Sequence, residues 1–264
     1  MDCKNCGFRF TNPIPKEENI GEFYKSDDYI SHSNTKKGIV NKMYQTVRNL
    51  TLVRKVNLLK KESSGKKLLD IGCGTGEFLN KCQKENYDCI GIEPSEEAKD
   101  YAEKNYGLKV KSESYIANIN NNSIDIITMW HVLEHVYHLN ERINEIDRIL
   151  KKDGVLIVAV PNYTSYDAQY YKKHWAAYDL PRHLYHFSPK DIKKLFQKHG
   201  FKLTQTLPMK YDSYYVSMLS EKYKTNNSNL LKAFYRGFIS NVKARRSSEH
   251  KYSSQIYILR KTEN

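Results

Sequence analysis

Residues 68–76 read LLDIGCGTG, and this stretch decides the fold of the chain. An apolar, strand-like run ends near Asp70, and the spacing Gly72-x-Gly74-x-Gly76 then opens a helix-like segment. Glycines suit such a turn because the chain bends sharply and a ligand must approach the backbone without interference from a Cβ atom. The helix that follows offers free N–H donors at its N-terminus. The stretch therefore predicts a ligand-binding turn between a strand and a helix.

Three acidic residues around this turn narrow the choice of ligand. A dinucleotide site prefers Gly-x-Gly-x-x-Gly, which places a pyrophosphate at the helix N-terminus. Glu77 stands at the third glycine position of that motif, and its charge would repel a pyrophosphate. Asp70 suits a ligand that carries an amino group. Glu93, at the end of the next predicted strand, can accept hydrogen bonds from both hydroxyls of a ribose. An amino acid joined to an adenosine meets these requirements, and S-adenosylmethionine is such a molecule.

Strand and helix patterns alternate along the rest of the chain. Strands are predicted at 67–71, 88–92, 108–110, 124–129, 154–160, 201–207 and 255–260, and helices at 36–61, 77–86, 95–105, 139–150, 188–200, 213–223 and 229–246. Such alternation is typical of an α/β protein whose parallel sheet is covered by helices on both faces.

Four motifs in this order resemble class I S-adenosylmethionine-dependent methyltransferases. They are LLDIGCGTGEF at 68–78, IGIEPS at 90–95, DIITMWHVLEHV at 125–136 and LKKDGVL at 150–156. The resemblance runs from Lys66 to the end and is greatest for bacterial small-molecule enzymes acting on quinone precursors, lipids and sugars. It implies an α/β, Rossmann-like, seven-stranded, mostly parallel sheet with an antiparallel last strand, a helical N-terminal arm and a helical insertion before the last strand.

The resemblance also implies how the chain is divided. Residues 1–62 would form an N-terminal arm and helical lid, and residues 63–264 the methyltransferase domain. Within that domain, residues 161–187 would be an aromatic insertion facing the substrate, and residues 210–250 a helical insertion. Relatives often carry a further Cys-x-x-Cys upstream, so we expect that Cys3-x-x-Cys6 is half of a zinc knuckle in a truncated arm and binds no zinc alone.

The cofactor-binding residues follow from the matched motifs. Asp70, Gly72 and Gly74 would contact the methionine half, Glu93 the ribose and Pro94 the adenine. The full set that the resemblance implies, with S-adenosylhomocysteine as the product, is Asp70, Gly72, Cys73, Gly74, Glu93, Pro94, Ser114 and Trp130.

His131, just after the fourth predicted strand, is the candidate catalytic residue. Methyl transfer is a displacement that positioning and water exclusion accelerate, but a hydroxyl acceptor also needs a general base. A histidine with a pKa near neutrality suits that role. The alternative is a histidine that only hydrogen-bonds the cofactor or the backbone.

The spacing His131-x-x-Glu134-His135 is similar to the Glu-x-x-Glu-His of some relatives that bind a divalent metal beside the cofactor. The first Glu is replaced by His, and the favoured interpretation is that Glu134 and His135 stabilise the helix and line the pocket. We therefore expect no metal.

An aromatic and histidine-rich stretch at 174–187 lies where this fold inserts its substrate-facing loop, and it predicts a binding wall. Its candidate substrate contacts are Trp175, Tyr178, Arg182, His183 and His186. Arg182 would hold an anionic group of the acceptor. The alternative is a plug in which buried aromatic side chains anchor the loop.

The formal net charge of +13 allows a nucleic-acid or membrane partner. Lysine is spread along the whole chain, so solvated basic faces are the favoured interpretation and a nucleic-acid partner is not expected. The basic residues do cluster after residue 207, with eleven Lys or Arg against four acidic residues. An apolar stripe at 230–246 is expected to pack on the domain, with membrane contact as the alternative. No signal peptide and no apolar run of about 20 residues is found, which predicts a cytoplasmic protein.

The sequence thus predicts methyl transfer to a small-molecule, sugar or lipid-linked acceptor, with O-methylation and a histidine near the methyl donor. Two other functions stay open: an RNA methyltransferase that uses the basic surface, and a non-catalytic binding module. The oligomeric state is left open as well.

Overall fold

The computed structural model shows strands and helices in the predicted alternation. It describes residues 1–24, 39–225 and 229–262, with the backbone alone over 39–44. The strands are β1 (Arg9–Phe10), β2 (Lys67–Ile71), β3 (Asp88–Ile92), β4 (Val110–Lys111), β5 (Ile124–Trp130), β6 (Leu150–Pro161), β7 (Tyr185–His186), β8 (Phe201–Pro208) and β9 (Ser254–Lys261). The α-helices are α1 (Ile39–Glu62), α2 (Glu77–Gln83), α3 (Glu96–Tyr106), α4 (Leu139–Ile149), α5 (Tyr166–Tyr171), α6 (Pro189–Lys198), α7 (Asp212–Thr225) and α8 (Leu230–Arg246).

Seven of the strands form one sheet in the order β4-β3-β2-β5-β6-β9-β8. Neighbours from β4 to β6 pair in parallel, whereas β9 is antiparallel to both β6 and β8. The predicted Rossmann-like sheet with an antiparallel last strand is confirmed. Because β2, β3 and β5 are parallel neighbours, their carboxyl ends lie at one edge of the sheet, where such folds bind ligands.

Local signals set the ends of the helices around this edge. The Ser95 side chain accepts a hydrogen bond from the backbone of Ala98 and begins α3, which ends at Gly107 in the left-handed conformation. Ser188 and Asp191 form a capping box at α6, with Pro189 in its first turn. The α2 helix is shorter than predicted, because a turn follows Gln83 and Asn86 adopts a positive φ.

The N-terminal part packs against the sheet domain at two places. In β1, Arg9 pairs with His186 of β7 in a separate two-stranded ladder. On α1, Val56 and Leu59 are buried in the same apolar cluster as Leu68. Residues 36–38 of the helix predicted at 36–61 lie outside the described residues. The α1 helix therefore covers the sheet beside the glycine turn.

Asp167 on α5 ties the aromatic insertion to the helical one. Its buried carboxylate accepts hydrogen bonds from Trp175 Nε1 at 2.9 Å, Ser240 Oγ at 2.7 Å and Ser253 Oγ at 2.6 Å. Because the three donors come from the insertion, α8 and the chain before β9, this carboxylate fixes all three segments to one another.

The expectation that the apolar stripe of α8 packs on the domain is wrong. The buried side of α8 consists of small residues, Ala233, Gly237, Ser240 and Ala244. Five of the large apolar side chains are exposed instead, with Leu231 at 86%, while Ile239 and Val242 are half-buried. Small residues allow α8 to approach α7 closely, and this close packing explains why the larger residues face away. None of the described helices is long and apolar enough to cross a membrane.

Candidate active site

The two glycines of the turn differ in their surroundings: Gly72 is tightly packed, and the backbone of Gly74 is open to a ligand. Gly72 and Gly74 both have a positive φ, at 72° and 54°. A Cβ atom on Gly72 would overlap the side chain of Val132, whereas one on Gly74 would meet no atom of the described residues within 4 Å. Gly72 is thus required by the fold itself. Gly74 borders open space, and a ligand can approach its backbone there.

Glu93 at the end of β3 faces this open space from the neighbouring strand. Its buried carboxylate accepts one hydrogen bond at each oxygen, from the backbone N–H of Gly74 at 2.9 Å and of Ser95 at 3.0 Å. Burial raises the pKa of Glu93, and these two N–H groups oppose that shift. Each oxygen keeps a lone pair for a further donor, so the carboxylate can accept two ligand hydroxyls.

Asp70 at the end of β2 forms the next part of the site. Thr128 on β5 donates a hydrogen bond from Oγ1 to Asp70 Oδ1 at 2.6 Å. Burial raises the pKa of Asp70 to about 7, against the effects of this hydrogen bond and of the Lys55 charge. Asp70 therefore lies in an environment that favours a cationic partner, since a cation would stabilise its ionised form.

Lys55 of α1 is a site residue that sequence reasoning missed. Its Nζ lies 4.1 Å from the ring centroid of Trp130. Burial lowers the pKa of Lys55 to about 8, while the charges of Asp70 and Asp212 oppose the shift. On α1, the apolar residues form a pattern in the sequence, but Lys55 is not part of it. From the sequence, Lys55 could therefore be noticed only as a lysine inside the helix that packs against the glycine turn.

The remaining predicted cofactor residues differ in their surroundings. Cys73 is partly buried and packs against the apolar cluster under the turn. Trp130 packs edge-to-face on Phe78 at 5.6 Å between ring centroids. Pro94 is exposed. Ser114 is exposed as well and shares a hydrogen bond of 3.1 Å with Ser112. Cys73 and Trp130 thus support the turn from inside, while Pro94 and Ser114 lie at its outer rim.

Glu77, whose charge was expected to repel a pyrophosphate, is not a free anion. Arg48 of α1 forms a salt bridge with it, and Thr75 donates a hydrogen bond to it at 2.7 Å. Because Arg48 compensates the charge of Glu77, the repulsion expected from the sequence is weakened. The preference for a ligand without a pyrophosphate then rests on Asp70 and Glu93.

His131 lies next to this group, with a positive φ of 58° and a side chain that is 34% exposed. Its Nε2 lies 3.1 Å from Asp212 Oδ2, and its Nδ1 lies 3.5 Å from Glu134 Oε1. Burial lowers the pKa of the ring, but the two carboxylates outweigh burial and raise it to about 10. The expected pKa near neutrality is therefore wrong, and His131 is an imidazolium at neutral pH.

Glu134, His135 and His183 form a compact group whose ligand-type atoms lie within 4.8 Å of one another. His183 donates from Nδ1 to the carbonyl of Ala177 at 2.9 Å, and His135 Nδ1 lies 3.1 Å from the carbonyl of Arg182. Burial and the neighbouring His135 lower the pKa of His183 to about 4. The group therefore has the donor atoms to hold a metal ion, and it differs from the sequence grouping because His183 takes the place of His131.

The charge of Glu134 is already balanced without a metal. Within the described part of the chain, neither of its buried oxygens has a hydrogen-bond partner. Burial raises the pKa of Glu134, yet the contact with His131, together with the neighbouring histidine rings, lowers it to about 2. An imidazolium at 3.5 Å supplies the counter-charge that a divalent ion would otherwise provide.

The predicted binding wall divides into packing residues and site residues. Trp175 is buried, and Tyr178 packs edge-to-face on it and accepts a hydrogen bond from Arg9 Nη1 at 2.9 Å. His186 lies 3.2 Å from the hydroxyl of Thr11. Tyr178 and His186 thus hold the N-terminal arm, whereas Trp175 anchors the insertion through its hydrogen bond to Asp167.

Arg182 and His183 lie closer to the candidate site. Arg182 forms a salt bridge of 2.5 Å with Asp179, so its charge is already partnered. His183 Nε2 lies 4.0 Å from Glu134 Oε1. The structure thus brings His131, Glu134, His135 and His183 together beside the carboxyl end of β5. Asp212, which completes the group, comes from α7 and was not predicted.

A family model described as a methyltransferase domain matches residues 44–206, which include the glycine turn, Glu93 and the histidine group. The chain belongs to this methyltransferase family. An uncharacterized protein from Methanocaldococcus jannaschii is 34% identical over 122 residues, or 43% of this chain and 50% of that protein. The ubiquinone biosynthesis O-methyltransferase of Pelagibacter ubique is 33% identical over 105 residues, 37% of this chain and 43% of that protein. The chain thus matches half or less of the length of these two relatives.

Solved structures of methyltransferases share the fold. Magnesium protoporphyrin IX methyltransferase from Synechocystis, determined with bound S-adenosylhomocysteine, aligns with a TM-score of 0.60 at 15% identity, over 93% of this chain and 100% of that one. At this identity the likeness establishes the fold. The strand order, the antiparallel last strand and the match to the family model therefore agree on a class I methyltransferase.

Proposed function

We propose that this methyltransferase transfers the methyl group of S-adenosylmethionine to a hydroxyl group of a small-molecule, sugar or lipid-linked acceptor. The observation that carries the proposal is the buried Glu93 carboxylate, which keeps a lone pair on each oxygen beside the open backbone of Gly74. This is the arrangement that a ribose diol requires at the carboxyl end of β3.

The residues around the turn fit the amino-acid end of the cofactor. Its ammonium group would lie at Asp70, whose ionised form needs a cation, and its carboxylate would lie at Lys55, the charge that accompanies Asp70 in the free protein. Glu93 would orient the ribose by two hydrogen bonds. When bound, S-adenosylmethionine supplies an electrophilic methyl group on a sulfonium. The chain's contribution is to orient that group and to exclude water around it.

His131 is the proposed proton acceptor for the acceptor hydroxyl. In the free protein its Nε2 faces Asp212, so the acceptor hydroxyl would have to replace Asp212 at Nε2 before the proton could move there. Because the ring has a pKa of about 10, only its deprotonated form can accept a proton. We therefore expect kcat/KM, which reports the protein before the acceptor replaces Asp212, to rise with pH up to about 10.

The class of acceptor is proposed from the relatives and from the chemistry of the site. Several relatives are named ubiquinone biosynthesis O-methyltransferases, and others are named ubiquinone/menaquinone C-methyltransferases. We favour transfer to oxygen because a deprotonated His131, beside the carboxyl end of β5, could accept the proton of a hydroxyl. Arg182 and His183 would line the acceptor side, as the nearest predicted substrate residues to His131.

The experiment is a transfer assay with methyl-labelled S-adenosylmethionine and three acceptor classes: hydroxylated aromatic quinone precursors, sugars and bulk RNA. We expect label in a small-molecule fraction and insensitivity to salt, with His131→Gln retaining S-adenosylhomocysteine binding but losing most turnover. Salt-sensitive label in RNA would overturn the acceptor class. A labelled amine or carbon, or full turnover by His131→Gln, would overturn the O-methylation mechanism.

A further inference from the structure

The outward side of α8 is an apolar face that the described residues leave largely exposed, although the ring of Phe234 stacks on Tyr214 of α7 at 4.8 Å between centroids. Its five large exposed side chains recur at helical spacing, and Phe234 is 61% exposed. They are Leu230, Leu231, Phe234, Tyr235 and Phe238. Isolated exposed apolar residues are ordinary on a soluble protein, but five on one helical face mark a binding surface.

The structure fixes this face outward. On the opposite side of α8, Ser240 donates a hydrogen bond to the buried Asp167, and Gly237 packs where a Cβ atom would lie 2.8 Å from Cδ1 of Tyr214. A rotation of α8 that buried Phe234 would break the hydrogen bond and separate this close contact. The exposed face is therefore a consequence of the packed side and not an unformed part of the core.

The charges of α8 identify the partner. The helix contains Lys232, Arg236, Lys243, Arg245 and Arg246 and no acidic residue. Lys232 Nζ forms a salt bridge of 3.0 Å with the buried Glu221 of α7, so the other four carry the charge of this surface. On a helical wheel Lys232, Arg236 and Lys243 lie together on one flank of the apolar face. Arg236 and Lys243 rest over the rings of Tyr170 and Tyr166, at 4.0 Å and 4.1 Å from the ring centroids. An apolar face bordered by cations is complementary to the headgroups and acyl chains of an anionic bilayer.

We propose that α8 binds the surface of an anionic lipid bilayer, with its axis along the surface and its apolar face inserted below the headgroups. A second copy of the chain fits this face less well, because pairing α8 with itself would bring Arg236, Lys243, Arg245 and Arg246 of both copies together, and α8 contains no acidic residue to balance them.

This surface is connected to the candidate site through α7. The α7 helix begins at Asp212, which contacts His131, and then packs along the buried side of α8. A bilayer against α8 would therefore lie on the acceptor side of the molecule, where a lipid-linked acceptor could be reached. The surface itself does not depend on the proposed reaction, since binding to vesicles needs neither cofactor nor acceptor.

The test is sedimentation of the full chain with vesicles of phosphatidylcholine, with or without phosphatidylglycerol. We expect binding to the anionic vesicles, weakening as salt rises, and little binding to the neutral ones. Phe234→Ser with Phe238→Ser should reduce the affinity roughly tenfold or more, because two aromatic side chains no longer leave water. The matched control is Ile14→Ser with Phe23→Ser, which removes two exposed apolar side chains outside α8 and should leave binding unchanged.

A second double variant distinguishes a loss of binding from a folding defect. Arg245→Gln with Arg246→Gln removes two exposed charges and should reduce anionic-vesicle binding on the order of twentyfold at low salt, with the melting temperature unchanged. Equal binding to both vesicle types, no binding to either, or full binding by both double variants would overturn the proposal. A concentration-dependent dimer that Phe234→Ser with Phe238→Ser dissociates, without vesicle binding, would assign the face to a second copy instead.

Discussion

Replacing Asp212 by Asn should lower the pKa of His131 and thereby change how the stability of the protein depends on pH. The perturbation is nearly isosteric: it removes one negative charge 3.1 Å from Nε2 and leaves Glu134 in place on the other side of the ring. Between the two carboxylates, Asp212 has the shorter contact and contributes more to the raised pKa.

The magnitude follows from the geometry. An opposite charge within about 4 Å shifts a pKa by roughly 1–3 units. His131 titrates at about 10 in the folded protein, against 6.5 for a free histidine. We therefore expect a value near 8, roughly 2 units lower, in Asp212→Asn. Because the folded-state pKa is raised, the ring stabilises the fold fully below pH 6.5, and this stability is lost as the pH rises through about 10.

The assay is an NMR titration of the histidine ring resonances, with His131→Gln to assign His131. The melting temperature of the wild type should also fall between pH 7 and 10 more steeply than that of Asp212→Asn. One proton corresponds to about 1.4 kcal/mol per pH unit at most, and solvent screening of the 34% exposed ring reduces it. The control is Asp100→Asn, a surface residue paired with Lys104. A wild-type His131 that titrates near 6.5, or one that Asp212→Asn does not move, would refute the reasoning.

Three further predictions concern the turn, α1 and the histidine group. Gly72→Ala should destabilise the fold by about 2 kcal/mol or more, since the added Cβ would overlap Val132. Gly74→Ala should destabilise the fold by only about 1 kcal/mol, because of its positive φ, and should mainly weaken cofactor binding. Thermal denaturation measures the loss of stability, and calorimetric titration measures the loss of cofactor affinity. Lys55→Met should weaken S-adenosylhomocysteine binding by about tenfold or more, and unchanged affinity would exclude its contact with the cofactor carboxylate. Mn²⁺ should raise the melting temperature little in the wild type but clearly in His131→Ala, which leaves Glu134 without its counter-charge, and an equal shift in both would contradict this account.

The sheet and the cofactor edge could be predicted because their signals are local. Strand β6 is buried along most of its length and therefore reads as a continuous apolar run, and residues 72–76 carry their turn in the glycines themselves. Glu93 follows from its position at the end of a predicted strand. These features can be predicted without knowing which distant segments of the chain come into contact.

The acceptor side could not be predicted because it depends on contacts between segments that are far apart in the sequence. Lys55 and Asp212 reach the site from helices far apart in sequence, and the raised pKa of His131 is a product of the second contact. Similarly, the apolar stripe of α8 was visible, but the sequence did not show that Gly237 and its small neighbours would take the packed side. Trp175 was assigned to an open wall because its hydrogen bond to Asp167 was not visible either.

The most direct test of the central claim is calorimetric titration of the protein with S-adenosylhomocysteine, comparing the wild type with Glu93→Gln and with the control Glu97→Gln, an exposed residue of α3. We predict binding of one ligand per chain, a loss of affinity on the order of a hundredfold in Glu93→Gln, and no change in Glu97→Gln. A wild-type protein that binds neither S-adenosylhomocysteine nor S-adenosylmethionine, or a Glu93→Gln variant that binds as tightly as the wild type, would contradict it.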